Sequence, residues 1–295
     1  MFKMKGIVPP MITPFDEHEE IDFNALDKLL EFLVDNVNGV FITGSYGCGA
    51  LMNIEERKKF AEAVVKKVNG KIDVVVMTGT TNNRDTVELT KHAEEVGANA
   101  VSAVGPYYFT HNSDSICRFY EDMVKSVRED FRVYVYNNPK FQGYPMDLKL
   151  IKKLKDIGVK GIKDATFDIL LFAAYSRLLK DENFDVVLGT EAMWLPARSL
   201  GCEAFIPGLA NVFPEICRKM YEEGMANNFE ACRKTQFDVN KLRDIMYLAK
   251  STQLAVYAML EIRGIVKAYP RGPFIPASDE EKKNIKNSLQ EMGLI

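Results

Sequence analysis

A lysine and a tyrosine stand where two β-prone runs give way to polar sequence, and they set the chemistry this chain could do. Val159-Lys160-Gly161-Ile162-Lys163 is strand-like up to Lys163, and Asp164-Ala165-Thr166 follows. Arg132-Val133-Tyr134-Val135-Tyr136 stops in the same way at Tyr136, before Asn137-Asn138-Pro139. A neutral amine attacks a carbonyl carbon, and the resulting iminium draws electrons from an adjacent C–C bond. A phenol nearby can pass a proton to and from the hydroxyl being made or broken. Alternation along the strand puts Val159, Gly161 and Lys163 on one face and Lys160, Ile162 and Asp164 on the other, which makes Lys160 the poorer candidate. If the Lys163 face lines a barrel mouth, apolar surroundings disfavour the ammonium and lower its pKa from about 10.4. A solvated strand-end lysine is the commoner alternative on local grounds. Tyrosine is also enriched in strands for packing reasons alone, which is the reading taken for Tyr134.

A third feature suits an anion. In Gly44-Ser45-Tyr46-Gly47, glycines allow close backbone approach, successive N–H groups form a cradle, and Ser45 adds a hydroxyl. No Gly-Lys-Ser/Thr follows, so a carboxylate fits better than a polyphosphate. Glycine-rich turns between strand and helix are common, and this one is weak by itself. The three histidines, His18, His92 and His111, lie far apart, and no His-x-x-x-His or carboxylate cluster falls on a strand tip. Neither a metal site nor any other cofactor is therefore expected. Cys48 has no evident histidine partner.

The elements that must hold these residues alternate eight times. Apolar runs at Ile7–Ile12, Gly39–Thr43, Asp73–Thr78, Ala100–Val104, Arg132–Tyr136, Val159–Lys163, Val186–Leu188 and Ala204–Ile206 each precede an amphipathic stretch. The first such stretch, Phe23–Val37, places Phe23, Leu26, Leu29, Leu30 and Leu33 on one face. Asn53 before Ile54-Glu55-Glu56 reads as an N-cap, with acids in the first turn and Lys66-Lys67 in the last. Eight such units imply right-handed βαβ crossovers and a closed parallel sheet. The expectation is an α/β fold, a (β/α)8 TIM barrel over residues 1–226 with a C-terminal three-helix extension over residues 227–295. The extension's helices are expected at Phe229–Ala249, Gln253–Ala268 and Asp279–Met292. Active sites of such barrels sit at the C-terminal strand tips, where Lys163, Tyr136 and the Ser45 turn fall.

Composition bounds the rest. The 295 residues are 47% hydrophobic and 27% charged, enough for a large core. A net charge of −3 gives no reason to expect nucleic acid or an anionic membrane surface. No apolar run is long enough to span a bilayer. Five scattered cysteines, and an N-terminus that runs straight into a strand, point to a reduced, cytoplasmic protein.

Taken in order along the chain, the motifs resemble the class I pyruvate-dependent aldolase superfamily, the group of dihydrodipicolinate synthase, N-acetylneuraminate lyase and 2-keto-3-deoxygluconate aldolase. They are Ile12-Thr13-Pro14-Phe15, the Gly44-Ser45 turn, Gly105-Pro106-Tyr107-Tyr108, Tyr136-Asn137-Asn138-Pro139, Gly161-Ile162-Lys163-Asp164-Ala165-Thr166 and Gly189 after strand seven. The resemblance implies that Lys163 condenses with the pyruvate carbonyl, that Tyr136 shuttles protons, and that Ser45 binds the carboxylate and links the tyrosines. It implies a subunit contact beside the site for Tyr108, a pyruvate-lining position for Ile206, and substrate contacts for Gly189 and Glu191. It also implies a homotetramer built as a dimer of dimers.

Departures from the pattern bear on the substrate. Tyr46 adds bulk and a second phenol beside the carboxylate turn, and Cys48 replaces a usual glutamate. Phe141 stands where the synthase carries an arginine for its amino-aldehyde, and only Glu191 supplies an acid where neuraminate lyase has two. The implied reaction is therefore cleavage or formation of a 2-keto-3-deoxy sugar acid such as 2-keto-3-deoxygluconate, from pyruvate and an aldehyde. A sugar-acid dehydratase, another pyruvate lyase and a non-catalytic sugar-acid-binding barrel are the alternatives.

Overall fold

The computed structural model describes residues 2–295. Eight parallel strands alternate with helices: β1 (Gly6–Ile7), α1 (Phe23–Val34), β2 (Gly39–Ile42), α2 (Ile54–Val68), β3 (Asp73–Met77), α3 (Asn83–Glu95), β4 (Ala100–Val104), α4 (Ser113–Lys125), β5 (Arg132–Asn137), α5 (Pro139–Gln142), α6 (Leu148–Asp156), β6 (Gly161–Asp164), α7 (Ile169–Leu178), β7 (Asp185–Leu188), α8 (Trp194–Ser199), β8 (Ala204–Phe205) and α9 (Pro214–Met225). The sheet runs β1-β8-β7-β6-β5-β4-β3-β2. It closes between its ends through a parallel bridge from Pro10 to Phe41, with Met11 N donating to Phe41 O at 2.9 Å. This is the (β/α)8 barrel that the alternation implies, followed by α10 (Phe229–Met246), α11 (Thr252–Ile262) and α12 (Asp279–Glu291).

The differences from sequence expectation are local. The first run, expected as a strand over Ile7–Ile12, pairs as a strand only at Gly6–Ile7, because Pro9 and Pro10 carry no N–H for a ladder. Helix α1 stops at Val34, capped by Asp35, and Phe23 at its first position is 45% exposed rather than buried. Helix α11 ends at Ile262 rather than Ala268, where Gly264 takes φ of 68°. Asn53 caps α2 as expected, its side chain accepting from Glu56 N while the Glu56 carboxylate accepts from Asn53 N.

Two apolar layers result. Leu26, Leu29, Leu30 and Leu33 of α1 belong to the outer layer between helices and sheet, each such leucine contributing about 1.5–3 kcal/mol on burial. The inner layer fills the barrel with Val8, Phe41, Val75, Val104, Tyr134 and Tyr136 among others. Among the described residues no helix is long and apolar enough to cross a membrane.

Candidate active site

Lys163 is the penultimate residue of β6, on the inward face. Ladder register sets Tyr136 of β5 directly beside it, and Val187 of β7 on its other side. The side chain is 2% exposed, with Nζ 3.7 Å from the centroid of the Tyr136 ring and 4.0 Å from that of Phe41. Aromatic faces attract an ammonium, but they do not replace water. Burial lowers the Lys163 pKa to about 7, so much of the amine is free base near neutral pH.

The phenol is held by neutral groups. Tyr136 OH lies 3.5 Å from Ser45 Oγ and accepts a hydrogen bond from Asn138 Nδ2 at 3.2 Å. Burial raises its pKa, and these two contacts pull it back. Ser45 sits in a turn closed by Cys48 N donating to Ser45 O and Gly49 N donating to Gly44 O. Thr13 Oγ1 braces the turn by donating to Gly47 O at 2.7 Å. Gly49 is required there, because a Cβ would collide with the Thr43 carbonyl. Tyr46 OH donates to Thr252 Oγ1 of α11 at 2.9 Å, which ties the turn to the C-terminal helices.

A cavity of about 300 Å³ opens over the phenol, lined by Ser45, Cys48, Leu51, Tyr136, Phe141 and Phe274 among others, and none of its lining residues is charged. Lys163 is not among the residues lining this cavity; its Nζ lies against the ring of Tyr136, which is. The arrangement offers an amine that is partly neutral, a phenol packed against it, and a turn whose Ser45 hydroxyl lies beside the phenol. Together these can form an imine and move a proton next to it.

The dihydrodipicolinate synthetase family model matches residues 3–292. The chain belongs to that family. A 4-hydroxy-tetrahydrodipicolinate synthase of Methanocaldococcus jannaschii is 29% identical, with 99% of each chain covered. The crystal structure of dihydrodipicolinate synthase from Aquifex aeolicus superposes with a TM-score of 0.92 at 26% identity, over 99% of both chains. A catalytic lysine mutant of a Ruminococcus gnavus sialic acid aldolase shares the fold, with a TM-score of 0.91 at 24% identity over 98% of this chain and 95% of that one. This family member is thus an enzyme, a pyruvate-dependent carbon–carbon lyase.

Within this lyase, the structure brings Lys163, Tyr136 and Ser45 together, with Ile206 in the same inner layer and Phe141 on the cavity wall. Gly189 packs against β6, where a Cβ would stand 2.6 Å from the Asp164 carbonyl. Glu191 is placed differently from a free substrate ligand. It is 1% exposed, its Oε1 binds Arg243 at 2.6 Å, and its Oε2 accepts from Gly208 N at 3.1 Å. Tyr108 does not join the site of its own chain: it is 85% exposed, with φ of 79°. Cys48 takes φ of 53° and lines the cavity, and burial pushes its thiol up in pKa, away from nucleophile chemistry.

Sequence reasoning missed five contributors. Phe41 forms the second ring under Lys163, and strand parity from Gly39 to Thr43 could have found it. Asn138 binds the Tyr136 hydroxyl, an effect hidden in a turn residue. Gln253 comes from α11, while Pro273 and Phe274 come from the loop before α12, and no local signal marks them. That loop is pinned across the barrel mouth: Arg271 NH1 pairs with Glu56 at 2.6 Å, and its guanidinium stacks 4.4 Å over Phe15. Tyr257 OH donates to Thr13 O at 2.7 Å. Among the described residues no cluster of three or more His, Cys, Asp or Glu side chains could hold a metal ion.

Proposed function

We propose that the chain is a Schiff-base aldolase that cleaves or forms a 2-keto-3-deoxy sugar acid such as 2-keto-3-deoxygluconate. The supporting observation is the buried Lys163 amine, with pKa lowered to about 7, stacked on the Tyr136 phenol. In this mechanism the free amine adds to the C2 carbonyl. Tyr136 gives its proton to the carbinolamine oxygen, water leaves, and a protonated imine remains. The Tyr136 phenolate then takes the proton of the C4 hydroxyl, and the C3–C4 bond breaks. Its electron pair moves into the iminium to leave an enamine, and the aldehyde departs. Protonation at C3 and hydrolysis release pyruvate and return the amine. Ser45 Oγ and the N–H groups of its turn hold the carboxylate, with Tyr46 bracing the turn from behind.

An uncharged aldehyde such as glyceraldehyde suits an uncharged cavity. Phe141 on its wall offers nothing to a charged amino-aldehyde. A second reading, tetrahydrodipicolinate synthesis, is supported by similarity to the 4-hydroxy-tetrahydrodipicolinate synthase of Methanocaldococcus jannaschii. A dehydratase would use the same imine and lose water instead. Incubation with pyruvate and borohydride should add a pyruvate-derived mass at Lys163, and an unlabelled Lys163 sinks the imine. A panel of aldehydes with pyruvate then separates the readings. Glyceraldehyde consumed supports the sugar acid, aspartate semialdehyde the synthase, and a semialdehyde formed from a sugar acid the dehydratase. Ligand binding without turnover in the wild type would instead support the binding barrel.

The homotetramer belongs to the same proposal. Tyr108 and Phe109, 85% and 66% exposed, form an edge-to-face pair at 4.9 Å on a backbone strained at Tyr108. A pair of exposed aromatic rings beside the site is a surface that a second copy would cover.

A further inference from the structure

Asn138 is the third residue of Tyr136-Asn137-Asn138-Pro139 and is 8% exposed. Its amide orientation is fixed by the backbone. Oδ1 caps the short helix α5 by accepting from Lys140 N at 3.1 Å, so Nδ2 must face the Tyr136 oxygen. A flipped amide would set donor against donor at Lys140 N. The residue itself is held on both sides. Asn138 N donates to Gln142 Oε1 at 3.2 Å, and its carbonyl accepts from Phe141 N and Gln142 N.

This geometry has a consequence for the phenol's single proton. Nδ2 can only donate, so the Tyr136 oxygen accepts on that side, and its own proton is left to point at Ser45 Oγ or the reacting atoms. The Ser45 contact is loose at 3.5 Å, and the Asn138 bond at 3.2 Å is the firmer of the two. When the proton leaves, the same Nδ2 donates to a phenolate, and a hydrogen bond to a charged acceptor is stronger than one to a neutral acceptor.

We propose that Asn138 is a positioning residue for the proton shuttle: it aims the Tyr136 hydroxyl at the substrate and stabilises the phenolate once the proton has gone. The inference rests on Tyr136 carrying the proton, as in the proposed aldolase. The titratable groups facing Tyr136 or sharing its cavity are Lys163 on β6, Tyr46 and Cys48 in the turn after β2, and Tyr107 after β4. None of them is replaced in the variants below.

Asn138→Asp is the decisive test, because aspartate keeps the cap acceptor and nearly the same shape but presents no donor to the phenol. The expected result, measured as pyruvate release from 2-keto-3-deoxygluconate or another substrate found in the aldehyde panel, is a fall in kcat of about tenfold to a hundredfold with KM little changed. The alkaline limb of the kcat–pH profile should move up, since a neighbouring acceptor makes the phenol harder to ionise. Asn138→Val removes the donor without adding charge, and should move the limb the same way with a smaller fall in kcat. Lys140→Ala, an exposed change on the same helix, should leave both unchanged. Borohydride trapping of pyruvate on Lys163 shows that each variant's site is assembled.

Wild-type kcat and an unmoved limb in both Asn138 variants overturn the inference, as does a fall in kcat with no shift of the limb. Tyr136→Phe keeps the two outcomes separate. If it is inactive while Asn138→Asp is wild type, only the role of Asn138 falls. If it turns over normally, the shuttle falls as well.

Discussion

Tyr134 and Tyr136 lie two residues apart on β5, both point into the barrel, and they do opposite things. Tyr134 faces the barrel floor, where its hydroxyl donates to the Asp185 carboxylate. The same carboxylate takes Arg132 NH1 at 3.2 Å and Met4 N at 3.3 Å. The phenol there is fixed by a charge, and burial with the nearby carboxylate drives its pKa well up. The Tyr136 hydroxyl meets an amide and a hydroxyl, its ring packs against a neutralisable amine, and it lines a cavity. The cations differ in the same way: Arg132 is buried against an acid, whereas burial alone acts on Lys163. A charge paired with its opposite is a structural device; an unpaired titratable group near a cavity is available for reaction.

The comparison breaks most readily at Lys163. Lys163→Met should abolish turnover and the borohydride adduct together, with the protein still folded by circular dichroism. Next comes the tyrosine pair. Tyr136→Phe should lower kcat by about 10²–10⁴-fold with little loss of stability. Tyr134→Phe should cost about 1–3 kcal/mol in denaturant unfolding, because Asp185 loses a donor, and leave kcat within a few-fold. Equal effects of the two substitutions on kcat would erase the distinction between floor and mouth.

A smaller effect is a stability shift with pH. The folded Lys163 has a pKa of about 7, against about 10.4 unfolded, so between those values the unfolded chain binds the extra proton. Stability contributed at this site therefore rises with pH across that window, and the penalty is full below about pH 7. Lys163→Met should remove this dependence and stabilise the protein at neutral pH by on the order of 4 kcal/mol, read as a raised urea midpoint. The imine-forming rate should rise through the same pKa. Smallest is Phe141→Arg, which should improve kcat/KM for a carboxylate-bearing aldehyde by about tenfold relative to glyceraldehyde, reading the uncharged wall directly.

Much of this was legible in the chain because barrels are periodic. Alternation put Lys163 inward and Lys160 outward, and the structure has Lys163 stacked on two inner-layer rings. Asn53 announced its helix through a local capping box. Other features depended on partners distant in sequence. Glu191 reads as an acid near a strand tip, and only Arg243, on a helix 52 residues later, shows that its charge is already matched. Tyr46 reads as bulk beside the turn, and only Thr252 shows where its hydroxyl goes.

The sequence by itself determined the barrel, the inward placement of Lys163 and Tyr136, and the donor turn at Ser45, because strand parity and turn chemistry act over a few neighbouring residues. Tertiary structure alone decided which polar groups are satisfied and which are left open. Burial, ion pairing and the wall built by Gln253, Pro273 and Phe274 arise from long-range packing. They separate two inward tyrosines on one strand into a floor and a reaction centre.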